Sequence, residues 1–190
     1  MYALAPGSQF ASDVRAGLTR PEQKTLSCRY LYDDIGWALH EAVALLPEYA
    51  LTRADARIIE AHAEDLLDCL PFRLTIAELG SVSMATTRII LEALRRRQDA
   101  VYYPIDVPPM ALARCTRELG PMATVHPLEM SFLGGLRDIA GRRAPGEGIL
   151  VLFPGNSIGN FEPEAAIHFL DSLRRQLAPG DALLLGTDLV

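Results

Sequence analysis

Long apolar runs, clustered basic residues and paired cysteines are all missing from this sequence of 190 residues. No segment approaches the roughly 18 consecutive apolar residues that span a bilayer. The opening MYALAPGSQFASDVRAGL lacks the basic start and apolar core of a secretory signal. A cytoplasmic protein with no membrane partner is therefore expected. The formal net charge is −6 and the basic run is limited to Arg95, Arg96 and Arg97, which argues against a nucleic-acid partner. That run falls at the end of an expected helix, where it suits the dipole and is expected to face solvent. Cys28, Cys69 and Cys115 are odd in number and form no CxxC pair, so neither a zinc site nor a disulfide framework is indicated. His40, His62, His126 and His168 show no ligand spacing, and His62 and His168 read as core or rim positions on helices. No metal is expected.

What is there is ordinary globular composition, 49% hydrophobic and 22% charged, in a length that suits one domain with a real core. Residues 1–50 read as an irregular, partly helical lead-in, and a regular pattern starts at Thr52. Thr52 and Asp55 give a weak helix-start signal. Ile58, Ile59, His62, Ala63, Leu66, Leu67 and Leu70 then recur at helical spacing until Pro71. LTIAELG (74–80) reads as a buried strand, and residues 86–97 as a helix. VYYPID (101–106) is the next strand, followed by a helix opening at Pro108 and Pro109. A weak strand at 123–126 precedes a helix at 132–140. GILVLFPG (148–155) is the most apolar strand. A helix from Pro163 carries Ile167, Leu170, Leu173 and Leu177, and ALLLGTDLV is the last strand. Repeated strand–helix alternation with short, continuously apolar strands predicts an α/β fold, a parallel sheet with helices on both faces. The last strand ends the sequence, which predicts a fold truncated after the fifth strand and a fragment of a longer protein.

In open sheets of this kind ligands bind outside the carboxyl ends of the strands. Those ends carry Gly80 and Ser81, Asp106, Glu129, Gly155 and Asn156, and Asp188. Gly80 lets backbone amides approach a ligand, and Asp106, 26 residues later, can accept both ribose hydroxyls of an adenosine-containing cofactor. The dinucleotide fingerprint G-x-G-x-x-G is missing, with Val82 where the second glycine admits a pyrophosphate. This argues against a nicotinamide-dependent oxidoreductase. The loop FPGNSIGNF (153–161) either places amides over a ligand or is a plain turn, and the residue types alone divide evenly between the two.

YDDIG (32–36), LPEYALTR (46–53), ELGS (78–81), PIDV (104–107), FPGNSIGNFEP (153–163) and LLLGTDLV (183–190) occur in this order in one family. The chain resembles the histidine-specific S-adenosylmethionine-dependent methyltransferases, which make hercynine from histidine for ergothioneine synthesis. The resemblance implies a Rossmann-like class I methyltransferase fold. Residues 51–190 would form the S-adenosylmethionine-binding domain, residues 1–50 a segment on the substrate side, and a C-terminal substrate domain would lie outside this sequence. It further implies that Gly80 and Ser81 line the methionine part of the cofactor and that Asp106 holds its ribose. Glu129 and Met130 would flank the adenine. Tyr49 would contact the substrate, Tyr32 would sit near the reacting amine as the catalytic side chain, and Asn160 with backbone near Gly155 would bind the amino acid's carboxylate. The small-molecule amino-acid substrate would be histidine and the full-length form a monomer. The chain departs from the family at Val82, usually glycine; at Thr86, usually lysine and a cofactor-side position; at His40, usually aromatic of another type; and at Ala50, usually tyrosine. A non-catalytic module of the same fold, or an N-methyltransferase of another amino acid, are the competing expectations.

Overall fold

The computed structural model describes residues 9–31, 33–80, 84–106 and 109–188. The lead-in holds helix α1 (Gln9–Leu18), a 3-10 turn (Cys28–Leu31) and helix α2 (Asp34–Ala44). The regular part follows as α3 (Leu51–Asp68), β1 (Arg73–Leu79), α4 (Met84–Arg95), β2 (Val101–Asp106), α5 (Pro109–Leu119), β3 (Thr124–Val125), β4 (Leu128–Glu129), α6 (Phe132–Arg142), β5 (Glu147–Phe153), a 3-10 turn (Ser157–Asn160), α7 (Pro163–Arg174) and β6 (Ala182–Leu185). Among the described residues no helix is long and apolar enough to cross a membrane.

The strands are all parallel and run in the order β3-β2-β1-β5-β6, with β4 also on β2. The strand expected at 123–126 is β3, and β4 is a further short strand beyond it that the sequence pattern did not show, a correction to the count of five. The break between them is at Pro127, which has no N–H to give to the ladder and lies opposite Pro104.

In β1 and β5 all but the first residue are buried, as expected of strands covered on both faces. Successive side chains alternate between two cores. Ile76, Leu150 and Leu152 meet Ile59, Ala63 and Leu67 of α3, Leu91 and Leu94 of α4, and Leu119 of α5. Ala77, Leu79, Val151 and Phe153 meet Leu136 and Ile139 of α6 and Leu173 of α7. Three helices therefore cover one face and two the other.

Polar clamps fix the elements along the sheet. Asp181, whose side chain is fully buried, pairs with Arg143 and accepts the N–H groups of Ile149 (2.8 Å) and Ala178 (2.7 Å), which pins the start of β6 to β5. The arginine run does not simply face solvent. Arg96 and Arg97 both reach Glu64 of α3, and Arg97 also reaches Asp68 at 2.7 Å. The Glu64 carboxyl is held below its ordinary range chiefly by the hydrogen bond from Arg97 and then by that from Arg96. His62 is on the solvent side of α3, 67% exposed, 3.5 Å from Asp65, and His168 is also exposed. These positions replace the core or rim expected for both histidines: the buried stripe of α3 is Ile59, Ala63 and Leu67, and His62 is off it.

Helix α6 lies on β2 through Gly135, where a Cβ would come within 2.5 Å of the Ile105 Cγ2, itself fully buried and unable to give way. Gly135→Ala is expected to cost about 1–3 kcal/mol in denaturant unfolding. Gly141→Ala, in the same helix but with nothing within 4 Å of the added Cβ, is expected to gain about 0.5–1 kcal/mol.

Candidate active site

Strand order reverses between β1 and β5, and in open sheets of this kind the ligand crevice lies at the carboxyl ends of the two strands that flank this point. On one side of it stand the ends of β1, β2 and β4. Gly80 takes a left-handed φ of 72° and donates its N–H to Ile105 O at 3.0 Å, turning the chain off β1 toward the end of β2. An added Cβ would lie 3.2 Å from Cζ of Phe132, so this turn rests on that ring. Asp106 ends β2 in register with Glu129, and the Met130 N–H donates to Asp106 O at 3.2 Å. Glu129 is exposed and Met130 is partly so, which places the acid and the flexible apolar thioether at the open rim. Gly80, Asp106, Glu129 and Met130 are thus brought together on adjacent strand ends. Ser81 and Val82 lie outside the described residues. Thr86 is set apart from this group: it is buried in α4, and its hydroxyl, like that of Thr87, has no partner among the described residues.

On the other side stands the end of β5. Gly155 and Asn156 are both left-handed, with φ of 70° and 57°. The 3-10 turn that follows is closed by Gly159 N–H on Asn156 O (2.9 Å) and Phe161 N–H on Ile158 O (3.1 Å), and it presents Asn160 at the surface. Gly186 N–H donates to Phe153 O at 3.0 Å, and Asp188 N–H to Asn156 Oδ1 at 3.3 Å, so the residues after β6 run beside this loop. A cluster of Phe132, Phe153, Phe161 and Phe169 rings, centroids 5.1–6.3 Å apart, underlies both sides.

The lead-in helices run into α3, which meets this edge. The LPEYALTR stretch is a turn closed by its own arginine: Arg53 Nη1 donates to Leu46 O at 2.9 Å and Nη2 to Pro47 O, while Tyr49 N–H donates to Leu46 O at 3.1 Å. Tyr49 is half-buried and meets His40 edge-on, ring centroids 6.1 Å apart. Burial holds the His40 imidazole below its ordinary pKa, hence neutral. Helix α2, which carries His40, is tied to α5 through an ion pair of Glu41 with Arg114, which also bonds Glu118. Tyr32 lies outside the described residues.

Two residues went unread in the sequence. Arg53 was visible as part of a motif, but its role as the clasp of the turn was not. Asp55 signalled only a helix start. In the structure α3 begins at Leu51 with no side-chain cap, and the Asp55 carboxylate instead accepts Gly155 N–H at 3.2 Å. Burial raises the Asp55 pKa above its ordinary value; the Gly155 hydrogen bond opposes this and the nearby charge of Asp188 adds to it.

A family model described as histidine-specific, S-adenosylmethionine-dependent methyltransferase matches residues 10–190. The chain belongs to this family. It is 36% identical over 184 residues to a histidine N-alpha-methyltransferase of Mycolicibacterium smegmatis, covering 94% of this chain and 55% of that one. A histidine N-alpha-methyltransferase of Mycobacterium tuberculosis is 35% identical over 185 residues, with the same coverage of 94% and 55%. An ergothioneine biosynthesis protein 1 of Neurospora crassa is 30% identical over 161 residues, 83% of this chain and 18% of that protein. The chain spans about half the length of the two mycobacterial relatives it matches.

A raised carboxyl pKa means that the folded form holds its proton more tightly than the unfolded one. The stability that protonation of Asp55 contributes is present below the unfolded value, near 3.8, and is lost as pH rises through the folded value. Asp55→Asn, neutral at every pH, is therefore expected to melt higher than the parent at neutral pH. The difference should shrink toward zero as the pH of the melting experiment falls below about 4.

Proposed function

We propose that this chain holds S-adenosylmethionine and contributes to methyl transfer onto the α-amino nitrogen of L-histidine, in the direction of hercynine and ergothioneine. The observation that carries the reading is the pairing, across one crevice, of the Gly80–Asp106–Glu129 strand ends with the Gly155–Asn156 loop, in a chain of the histidine-specific family. The residues fit the cofactor. Asp106 at the end of β2 would accept hydrogen bonds from the two ribose hydroxyls, Glu129 and Met130 stand beside it at the rim for the adenine, and the left-handed turn at Gly80 ends β1 on the side assigned to the methionine part. The cofactor brings a methyl group already activated on a sulfonium, so the protein's share is chiefly alignment. Tyr49 and the loop to Asn160 are assigned to the amino acid, and Tyr32 to orienting its amine, which must be neutral to react. We place this reaction in the cytoplasm, on a small-molecule amino-acid substrate.

A second reading, the methylation of another amino acid, draws on one observation. The half-buried face beside Tyr49 is formed by a neutral His40, at a position the family fills with a different ring, and Ala50 follows where a second tyrosine is usual.

Calorimetric titration of S-adenosylhomocysteine into the chain tests the cofactor assignment. Saturable binding is expected, and Asp106→Ala should weaken it by about 1.5–3 kcal/mol, roughly 10- to 150-fold. Absence of binding by a folded sample would overturn it. Turnover of histidine against other amino acids by the complete protein, followed by product mass, separates the two substrate readings.

A further inference from the structure

Asp55 lies in the opening turns of α3, only six residues after Tyr49, yet its carboxylate is spent on the Gly155 N–H, 100 residues further along the chain. The place is unfavourable for a charge, since burial and the proximity of Asp188 both act against the ionised form. In the turn it grips two successive residues are left-handed and one of them, Asn156, has a side chain. Glycine adopts this region freely and asparagine tolerates it, so the turn's shape is set by the hydrogen bonds around it. Ser157 Oγ on Pro154 O (3.0 Å) and Gly159 N–H on Asn156 O (2.9 Å) hold the turn from within, and Asp188 N–H on Asn156 Oδ1 (3.3 Å) holds it from the segment after β6. Asp55 holds it from the helix that carries the Tyr49 turn, closed on that side by Arg53.

We propose that Asp55 is a positioning residue for the amino-acid substrate: by gripping the Gly155 amide it sets the separation between the Tyr49 turn and the Gly155–Asn160 loop. The inference rests on the assignment of Tyr49, Gly155 and Asn160 to the substrate, and it refines that assignment. Gly155 gives its N–H to Asp55, so it serves the substrate through the shape of the turn rather than through that amide. The cofactor side, at the ends of β1, β2 and β4, is not gripped by Asp55, so the two ligands should respond differently to its loss.

The test uses the complete protein with Asp55→Ala and Asp55→Asn. S-adenosylhomocysteine and L-histidine are titrated calorimetrically, and kcat and KM for histidine are measured alongside. The Gly155 amide resonance is followed in isotope-labelled parent and variants. Asp55→Ala is expected to raise the histidine Kd and KM on the order of tenfold, as one lost charge-assisted hydrogen bond would. Affinity for S-adenosylhomocysteine should stay within about twofold, since no Asp55 hydrogen bond is lost on that side. The Gly155 resonance should move. Asp55→Asn, whose amide oxygen can still accept from Gly155, should recover most of the histidine affinity and restore the environment of Gly155. Unchanged histidine KM with an unmoved Gly155 resonance overturns the proposal, and so does an equal loss of both ligands, which marks a general loss of structure. If the parent binds S-adenosylhomocysteine but not histidine, the substrate reading fails by itself. The Gly155 resonance then decides alone: movement in the alanine variant with recovery in the asparagine variant supports the grip, and no movement overturns it.

Discussion

The parallel pairing of β1 with β5, from Arg73 opposite Glu147 to Glu78 opposite Leu152, is the contact on which the rest of the molecule depends. These strands are remote in sequence and adjacent in space, and each is buried on both faces. Strands that come before β5 in the chain build outward on one side of β1, and β6 builds outward on the other side of β5. The helices that follow β1 and β5 must therefore leave in opposite directions, and the space between their departure points is the crevice. The site's location is thus a consequence of topology, before any polar side chain is considered. Gly80 and Gly155, the residues immediately or nearly after the two strands, are both left-handed because each chain must turn away sharply from its neighbour.

Most of this was legible in the sequence because it is written locally. A run such as ILVLF fits a strand covered on both faces, as in a parallel sheet with helices on either side, and the bounds of β2 are those expected from VYYPID alone. The ends of the strands, and with them Gly80, Asp106, Glu129 and Gly155, follow from the same runs. This outer part of the sheet was half legible: the weak strand at 123–126 is β3, while β4, past Pro127 and only two residues long, left no pattern to read. What the sequence hid are the polar pairs whose members lie far apart. Arg97 reads as a solvated helix end until Glu64 and Asp68 are seen beside it, and Asp55 reads as a helix-start signal until Gly155 appears at its carboxylate. Neither partner can be found by spacing, since nothing local constrains separations of 33 or 100 residues.

These hidden pairs share an element. Helix α3 buries only the stripe Ile59, Ala63 and Leu67, and apolar contact is non-directional, so a stripe alone leaves a helix some freedom to slide along its axis. Glu64 and Asp68 fasten the far end to Arg96 and Arg97, just past α4, and Asp55, roughly 14–20 Å away along the helix, fastens the near end to the turn after β5. Surface ion pairs are worth little as stability. At the α4 end the pairs are open to water, which makes their value chiefly one of register. At the Asp55 end the carboxylate is half-buried, and its ionised form is disfavoured there. A helix fixed in register at both ends carries the Tyr49 turn at a set height above the strand ends. The lead-in helices, which precede the sheet in sequence and among the described residues contribute no strand to it, are held over the strand ends by this helix and by the ion pair of Glu41 with Arg114 of α5.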